Sequence, residues 1–376
     1  MKAAALVLSA AFLAAAAAPA HAQIGGALGK IKKGADKAAE VKQKTDEFTF
    51  SAEEERQIGE QVSAKLRQRF GVYQNQEVTK YVALVGTVIA QASAKPALDW
   101  KFIVLDSDGV NAYAAPGGFI HITRGLLGML KDESELAGVL GHEITHVTER
   151  HTVDDLRTST AIGEVGNQAG KGGGLSREVL AKLSTKAFED IFNGQFSQAK
   201  ESSSDEVGAR LANKVGYSPH GLAAALQKIL DRNTGQQQPN GWFSSHPALK
   251  DRISKVEKQI KSEKLTSTAT VAARYKQHIT FDAKPLSEIT TVDAGASGLA
   301  SGEKKKDDEV KKDDGKKKGG LTSAFGGKQQ ASAQQSTSAG ARGLGNDRDA
   351  KGGGNPAIVA VKVSPEEITA FKKGIA

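Results

Sequence analysis

Apolar residues recur at helical spacing early in the chain, switch to a strand-like period near its first third, and return to helical spacing afterwards. Ser51-Ala-Glu-Glu54 is a capping-box pattern that predicts a helix running to about Phe70. Val78, Tyr81, Val82, Val85 and Val88 give a second helix, from about Glu77 to Ser93, its apolar face. Trp100–Leu105 and Phe119–Ile122 read as strands, the second as an edge strand, with Asn111–Gly118 between them. Asp132 caps a helix expected to reach about Thr158. A further helical region covers about Ser176 to Val215 and stops at Gly216, with Pro219 just beyond. Helical stretches from Pro219 to Asp231 and Pro247 to Lys261 complete the compact part. The predicted fold class is α+β: a mainly helical domain over residues 51–292 with a small sheet around Trp100 to Thr123.

The two ends change the picture. Met1 to Ala22 joins a charged start, an apolar run and Ala20-His21-Ala22, which is the pattern of a cleaved secretory signal peptide. Residues 23–50 read as a flexible basic leader. No later stretch approaches the roughly twenty apolar residues of a membrane span, so the expectation is an exported, periplasmic chain without a transmembrane segment. Residues 293–356 are Gly, Ser, Gln, Lys and Asp with almost no apolar content, the composition of a disordered tail. Residues 357–376 regain pattern, with Ser364-Pro-Glu-Glu367 as a helix start. The net charge of +8 comes from lysines interleaved with acids, and aromatic residues are scarce, so nucleic acid is not an expected partner. With no cysteine, any metal must be held by imidazole and carboxylate.

Gly141-His-Glu-Ile-Thr-His146 supplies them. His142 and His146 stand four residues apart on a helix, so both imidazoles leave one face and can share one zinc ion, with Glu143 beside them as general base toward a water. A third ligand is needed. Residue 152 is Thr and residue 149 Glu, so the spacing of a third histidine six residues on is absent. His151 falls one place short of that spacing and reads as a charge partner at the helix C-terminus. Glu201 fits instead: with Asp205, Gly208 and Ala212 it forms one helical face whose small residues permit close approach. An ordinary salt bridge is the plainer role for Glu201, and the unfilled ligand position argues against it.

Asn111-Ala-Tyr-Ala-Ala-Pro-Gly-Gly118, Thr123-Arg-Gly-Leu-Leu127, the His142 motif and Glu201-x-x-x-Asp205 appear in an order that resembles the CAAX prenyl protease type of zinc metallopeptidase. Among its members the sequence is most similar to a soluble periplasmic branch tied to outer-membrane assembly and quality control. The resemblance covers about Ser51 to Lys261. It implies a zincin-like fold, one zinc per chain held by His142, His146 and Glu201, and Glu143 as base. Asp205 would be a proton donor, or a group that orients a ligating histidine. His246, in Trp242-Phe-Ser-Ser-His-Pro247, resembles a family His-Pro element that can lie over the metal and gate or assist catalysis. The chain departs from the family at Gln198 and at Ser203-Ser204, which puts the surroundings of the ligands in question.

The expected function is therefore a zinc metalloendopeptidase of the cell envelope that takes extended segments of unfolded or misassembled proteins, with outer-membrane assembly machinery as a partner. The alternative is a proteolytically silent chaperone on the same fold, which would have no need of Glu143.

Overall fold

Residues 49–159, 175–193, 196–234, 246, 248–285, 288, 290–292, 335–337 and 355–375 are described in the computed structural model of this chain. The signal-peptide reading, nearly all of the leader, the Gly163–Gly174 stretch, Trp242, Phe243 and Pro247 lie outside the described residues, as does nearly all of the tail.

Helix α1 (Ala52–Phe70) opens on the predicted box: the Ser51 hydroxyl accepts from the Glu54 N–H while Glu54 accepts from the Ser51 N–H. Helix α2 (Gln76–Ala92) is capped by Asn75 and buries Val78, Tyr81, Val82, Val85 and Val88. Both predicted strands form, as β1 (Lys101–Leu105) and β3 (Phe119–Thr123). A third strand, β2 (Ala112–Ala115), joins them, and the sheet order is β1-β3-β2. β3 runs parallel to β1 and antiparallel to β2. Phe119–Ile122 is thus the central strand and not the predicted edge. The reason is the turn at Pro116-Gly117-Gly118. Both glycines take positive φ, and a Cβ on Gly117 would stand 2.7 Å from the Arg56 backbone. That reversal brings an alanine-rich strand with weak β-propensity alongside β3.

After α3 (Arg124–Met129), Asp132 caps α4 (Glu133–Thr148). The single helix expected to reach Thr158 is broken: Arg150 adopts left-handed φ of 60° and a new helix, α5, begins at His151 (His151–Thr158). Arg150 is held there by an ion pair to Glu55 and by the Phe50 carbonyl, 3.4 Å away. Both partners are about a hundred residues distant, so helical periodicity alone could not reveal the break. The region from Ser176 to Val215 is likewise two helices, α6 (Arg177–Asn193) and α7 (Gln198–Lys214), the latter with its own cap at Ser197.

α8 (His220–Asn233), α9 (Leu249–Ser262) and α10 (Ala272–His278) complete the helical layer. Beyond them β4 (Thr290–Val292) pairs antiparallel with β5 (Gln335–Thr337), which falls within the stretch predicted to be disordered. The C-terminal helix α11 (Pro365–Lys373) forms from its predicted capping box. It docks beside α2: Glu367 pairs with Lys80, Lys372 donates to Gln91 at 2.9 Å, and the Arg274 guanidinium lies 3.8 Å from the Phe371 ring centre.

α4 is the central element, packed most heavily on α7 and next on α8, with α2 and β2 on its other sides. Glycines permit this. A Cβ on Gly138 would stand 2.6 Å from the Leu222 backbone of α8, and one on Gly208 would stand 2.8 Å from the His142 nitrogen. The start of α4 is fixed by buried Glu133, which accepts from Tyr81 at 3.0 Å, Tyr217 at 2.9 Å and the Arg274 fork. Among the described residues, no helix is long and apolar enough to cross a membrane.

Candidate metal centre

The close approach of α4 and α7 sets the site. His142 and His146 leave α4 one turn apart, and their Nε2 atoms converge to 3.0 Å. Across from them Glu201 of α7 brings Oε1 to 3.5 Å from His146 Nε2 and Oε2 to 3.7 Å from His142 Nε2. Ligands held about 2 Å from a tetrahedral metal stand roughly 3.3 Å apart, so the donor atoms of these three residues lie close to the spacing of a shared ion. His246 joins them, and one donor atom from each of His142, His146, Glu201 and His246 lies within 4.8 Å of every other. All four residues are buried.

Two carboxylate oxygens of the site, Glu143 Oε1 and Glu201 Oε1, are buried without a hydrogen-bond partner among the described residues. Leaving such acceptors unmade costs about 1–3 kcal/mol or more each. Orphaned acceptors beside two imidazoles fit a cation and its solvent far better than a structural core. The donor set of imidazole and carboxylate without thiolate suits zinc.

A buried guanidinium organises the acidic side. Arg252 of α9 is fully buried and bonds Asp205 twice, at 2.7 and 2.6 Å, while its Nη1 stands 2.8 Å from Glu201 Oε2. Asp205 in turn lies 2.9 Å from His142 Nδ1, on the side of the ring away from the donor cluster. It therefore backs one of the converging imidazoles, the arrangement that fixes a metal-binding histidine's tautomer and raises its basicity. His246 Nδ1 is 2.8 Å from Glu201 Oε2, and its Nε2 is 4.0 Å from Glu143 Oε1.

The ionisation states follow from these contacts. Burial pushes the Glu143 carboxyl up to about 7, with the Glu201 charge adding to it. Burial would raise Glu201 and Asp205 too, but His246 and Arg252 hold the first, and Arg252 the second, well below the ordinary carboxylate range. Burial lowers His146 far below the usual imidazole value and takes His246 down to about 4. Neutral rings are what metal ligation requires. Burial also opposes charge on His142, but Asp205 and Glu201 outweigh it and the net shift is upward.

All six residues singled out from the sequence (His142, Glu143, His146, Glu201, Asp205 and His246) are gathered here. His151 departs from its expected place, because it opens α5 where a helix C-terminus was predicted. Its Nδ1 is 2.9 Å from His146 Nδ1, and its Nε2 is 3.1 Å from Glu149, so a charge partner is present but on the other side of the break. Sequence reasoning missed three contributors. Arg252 stands six residues beyond His246, yet an arginine on an amphipathic helix reads as solvated. Glu149 and Phe196 offered no pattern, although the Phe196 ring stacks on His146 at 4.3 Å.

A helix-borne pair of histidines, a neighbouring glutamate and a carboxylate from a second helix together define the zinc metallopeptidase class of fold. Residues 76–260, which carry every one of these groups, match the model of peptidase family M48. The chain is 26% identical over 218 residues to the beta-barrel assembly-enhancing protease of Escherichia coli (strain K12), an alignment covering 54% of this chain and 43% of that protein. It is 31% identical over 166 residues to the metalloprotease YcaL of the same organism, covering 43% of this chain and 62% of that protein. It is 26% identical over 189 residues to the metalloprotease LoiP, covering 50% and 73%. The chain thus spans less than half the length of the beta-barrel assembly-enhancing protease it matches.

Proposed function

We propose that this chain is a zinc-dependent metalloendopeptidase of the cell envelope, exported to the periplasm, that cleaves extended segments of unfolded or misassembled proteins. The observation that carries the reading is the convergence of His142, His146 and Glu201 on one point, with Glu143 Oε1 buried beside it without a hydrogen-bond partner among the described residues. In this reading His142, His146 and Glu201 hold one zinc. Bound there, zinc supplies Lewis acidity toward a peptide carbonyl and toward water. Glu143 Oε1 accepts the proton of the attacking water. Asp205 keeps the proton on His142 Nδ1 and leaves Nε2 for the metal; this positioning role suits its place better than proton donation to substrate. His246 gates the site by sharing the Glu201 carboxylate and filling the fourth corner of the donor set.

β2 takes over the edge position expected of Phe119–Ile122 and lies against α4, so we assign extended substrate to that strand. Main-chain pairing there gives affinity with little sequence selectivity. The motif order supports the CAAX prenyl protease type within the family, and the relative named for beta-barrel assembly supports a link to outer-membrane assembly. The silent-chaperone reading is disfavoured on physical grounds: a buried carboxylate oxygen such as Glu143 Oε1, without a hydrogen-bond partner among the described residues, is costly, and a chaperone gains nothing from keeping it.

The test is metal content together with cleavage of an unfolded test protein. Wild type is expected to hold one zinc and to cleave. Glu143→Gln is expected to keep the zinc and lose on the order of a hundredfold or more in rate. Wild-type turnover in that variant, or a wild-type protein that binds no zinc, would overturn the assignment.

A further inference from the structure

The site has two ligating imidazoles, and each needs a partner on its far nitrogen. His142 has Asp205. Among the described residues no carboxylate bonds His146 Nδ1; its neighbour there is His151, at 2.9 Å between the two Nδ1 atoms. Two ring nitrogens at that distance require one to donate and the other to accept. If Nε2 of His146 is given to a metal, its proton must sit on Nδ1, and His151 Nδ1 must accept it. The remaining proton of His151 then lies on Nε2, which faces Glu149 Oε2 at 3.1 Å. The geometry is consistent along its whole length: the Glu149 carboxylate accepts from His151, and His151 accepts from His146.

We propose that Glu149 and His151 are positioning residues that fix the tautomer and ring orientation of His146, a carboxylate–imidazole relay in place of a direct carboxylate. The break at Arg150 builds it. A continuous helix from Asp132 to Thr158 would place residue 151 five positions beyond His146 on a different face; the left-handed turn swings it back against the ligand. α7 holds the relay. The Ser203 hydroxyl donates to Glu149 Oε2 at 2.7 Å, Ser204 Oγ lies 3.4 Å from His151 Nδ1, and Lys200 Nζ donates to the His151 carbonyl at 3.0 Å. Ser203 and Ser204, two of the three positions where this sequence departs from the pattern it resembles, thus contact the relay.

This inference rests on the metal reading above, and the experiment separates the two. Zinc affinity is measured by competition with a chromogenic chelator for wild type, His151→Leu, His151→Gln and Glu149→Gln. Histidine tautomers are read from ¹⁵N shifts of the zinc-loaded wild type. A wild type that binds no zinc sinks the metal assignment itself. Given wild-type binding, His151→Leu should lose about ten- to a hundredfold in affinity, the usual cost of removing such a partner. His151→Gln, which keeps an acceptor and a donor at its end, should recover most of that loss. Glu149→Gln should weaken binding in the same direction by less, and because Glu149 is partly exposed this variant keeps the test open should His151→Leu fail to fold. The spectrum should show protons on Nδ1 of His146 and Nε2 of His151. Wild-type affinity in both His151→Leu and Glu149→Gln, equal losses in the Leu and Gln variants, or a proton on Nδ1 of His151 would each overturn the relay.

Discussion

Glu201 and Glu206 share α7, yet only one can serve the site. Glu201 is fully buried against both histidines, whereas Glu206 is half exposed and 3.6 Å from Arg210 on its own helix. Five residues along a helix amount to about 500° of rotation, which leaves them roughly 140° apart in direction. Glu201→Ala is expected to abolish stoichiometric zinc, and Glu206→Ala to leave metal content at the wild-type level, both read by elemental analysis; the reverse pattern would refute the ligand assignment. His246 shares that carboxylate, and on the gating reading His246→Ala raises basal cleavage of an unfolded protein severalfold. A fall of about a hundredfold, the size of losing one transition-state donor, would instead place His246 in the chemistry. His142, Glu143 and His146 were legible in the sequence because their spacing on one helix is local information. His151 was misread because its position depends on Arg150, whose partners lie far away in the chain.

The decisive contact between elements is the crossing of α4 and α7 at Gly141 and Gly208. A Cβ on Gly208 would sit 2.8 Å from the His142 nitrogen and 3.0 Å from the Gly141 carbonyl carbon, both backbone atoms that cannot rotate aside. Gly208→Val is therefore expected to cost about 1–3 kcal/mol by overpacking and to push Glu201 away from the histidines. Zinc affinity should fall with stability in this variant, measured by chelator competition and urea denaturation. Unchanged zinc affinity would mean that the helices can separate without opening the site. The small-residue face of α7 was legible as a 3–4 spacing of Glu201, Asp205, Gly208 and Ala212. The strand order was not, since β3 became central only when an alanine-rich segment with no strong pattern paired beside it.

At the scale of the whole molecule, the C-terminal element returns to the catalytic domain after a long intervening stretch. It buries Ile368, Phe371 and Ile375 and adds the Lys80–Glu367 pair beside α2. A buried side chain of this size contributes about 1.5–3 kcal/mol at most. Even a fraction of that sum should be visible, because about 1 kcal/mol shifts the Tm of a domain this large by roughly 2–4 °C. Deleting residues 355–376 is thus expected to lower Tm by about 4 °C or more by calorimetry while zinc content stays at wild type. An unchanged Tm would show that the docked helix contributes nothing to stability.

What this sequence determined by itself was whatever short range can encode: where helices start, which face of each is apolar, and the pair of histidines one turn apart with a glutamate between them. Those signals depend on capping and on helical period, which are properties of neighbouring residues. Tertiary structure decided the rest. Arg252 acquires its place between Asp205 and Glu201 only when α9 packs on α7, and a buried guanidinium looks in sequence like any solvated arginine. His151 reaches His146 only because Glu55 and the Phe50 carbonyl hold Arg150 in a left-handed turn. Contacts between residues fifty or a hundred positions apart leave no period in the chain, and they alone set which polar groups are buried together.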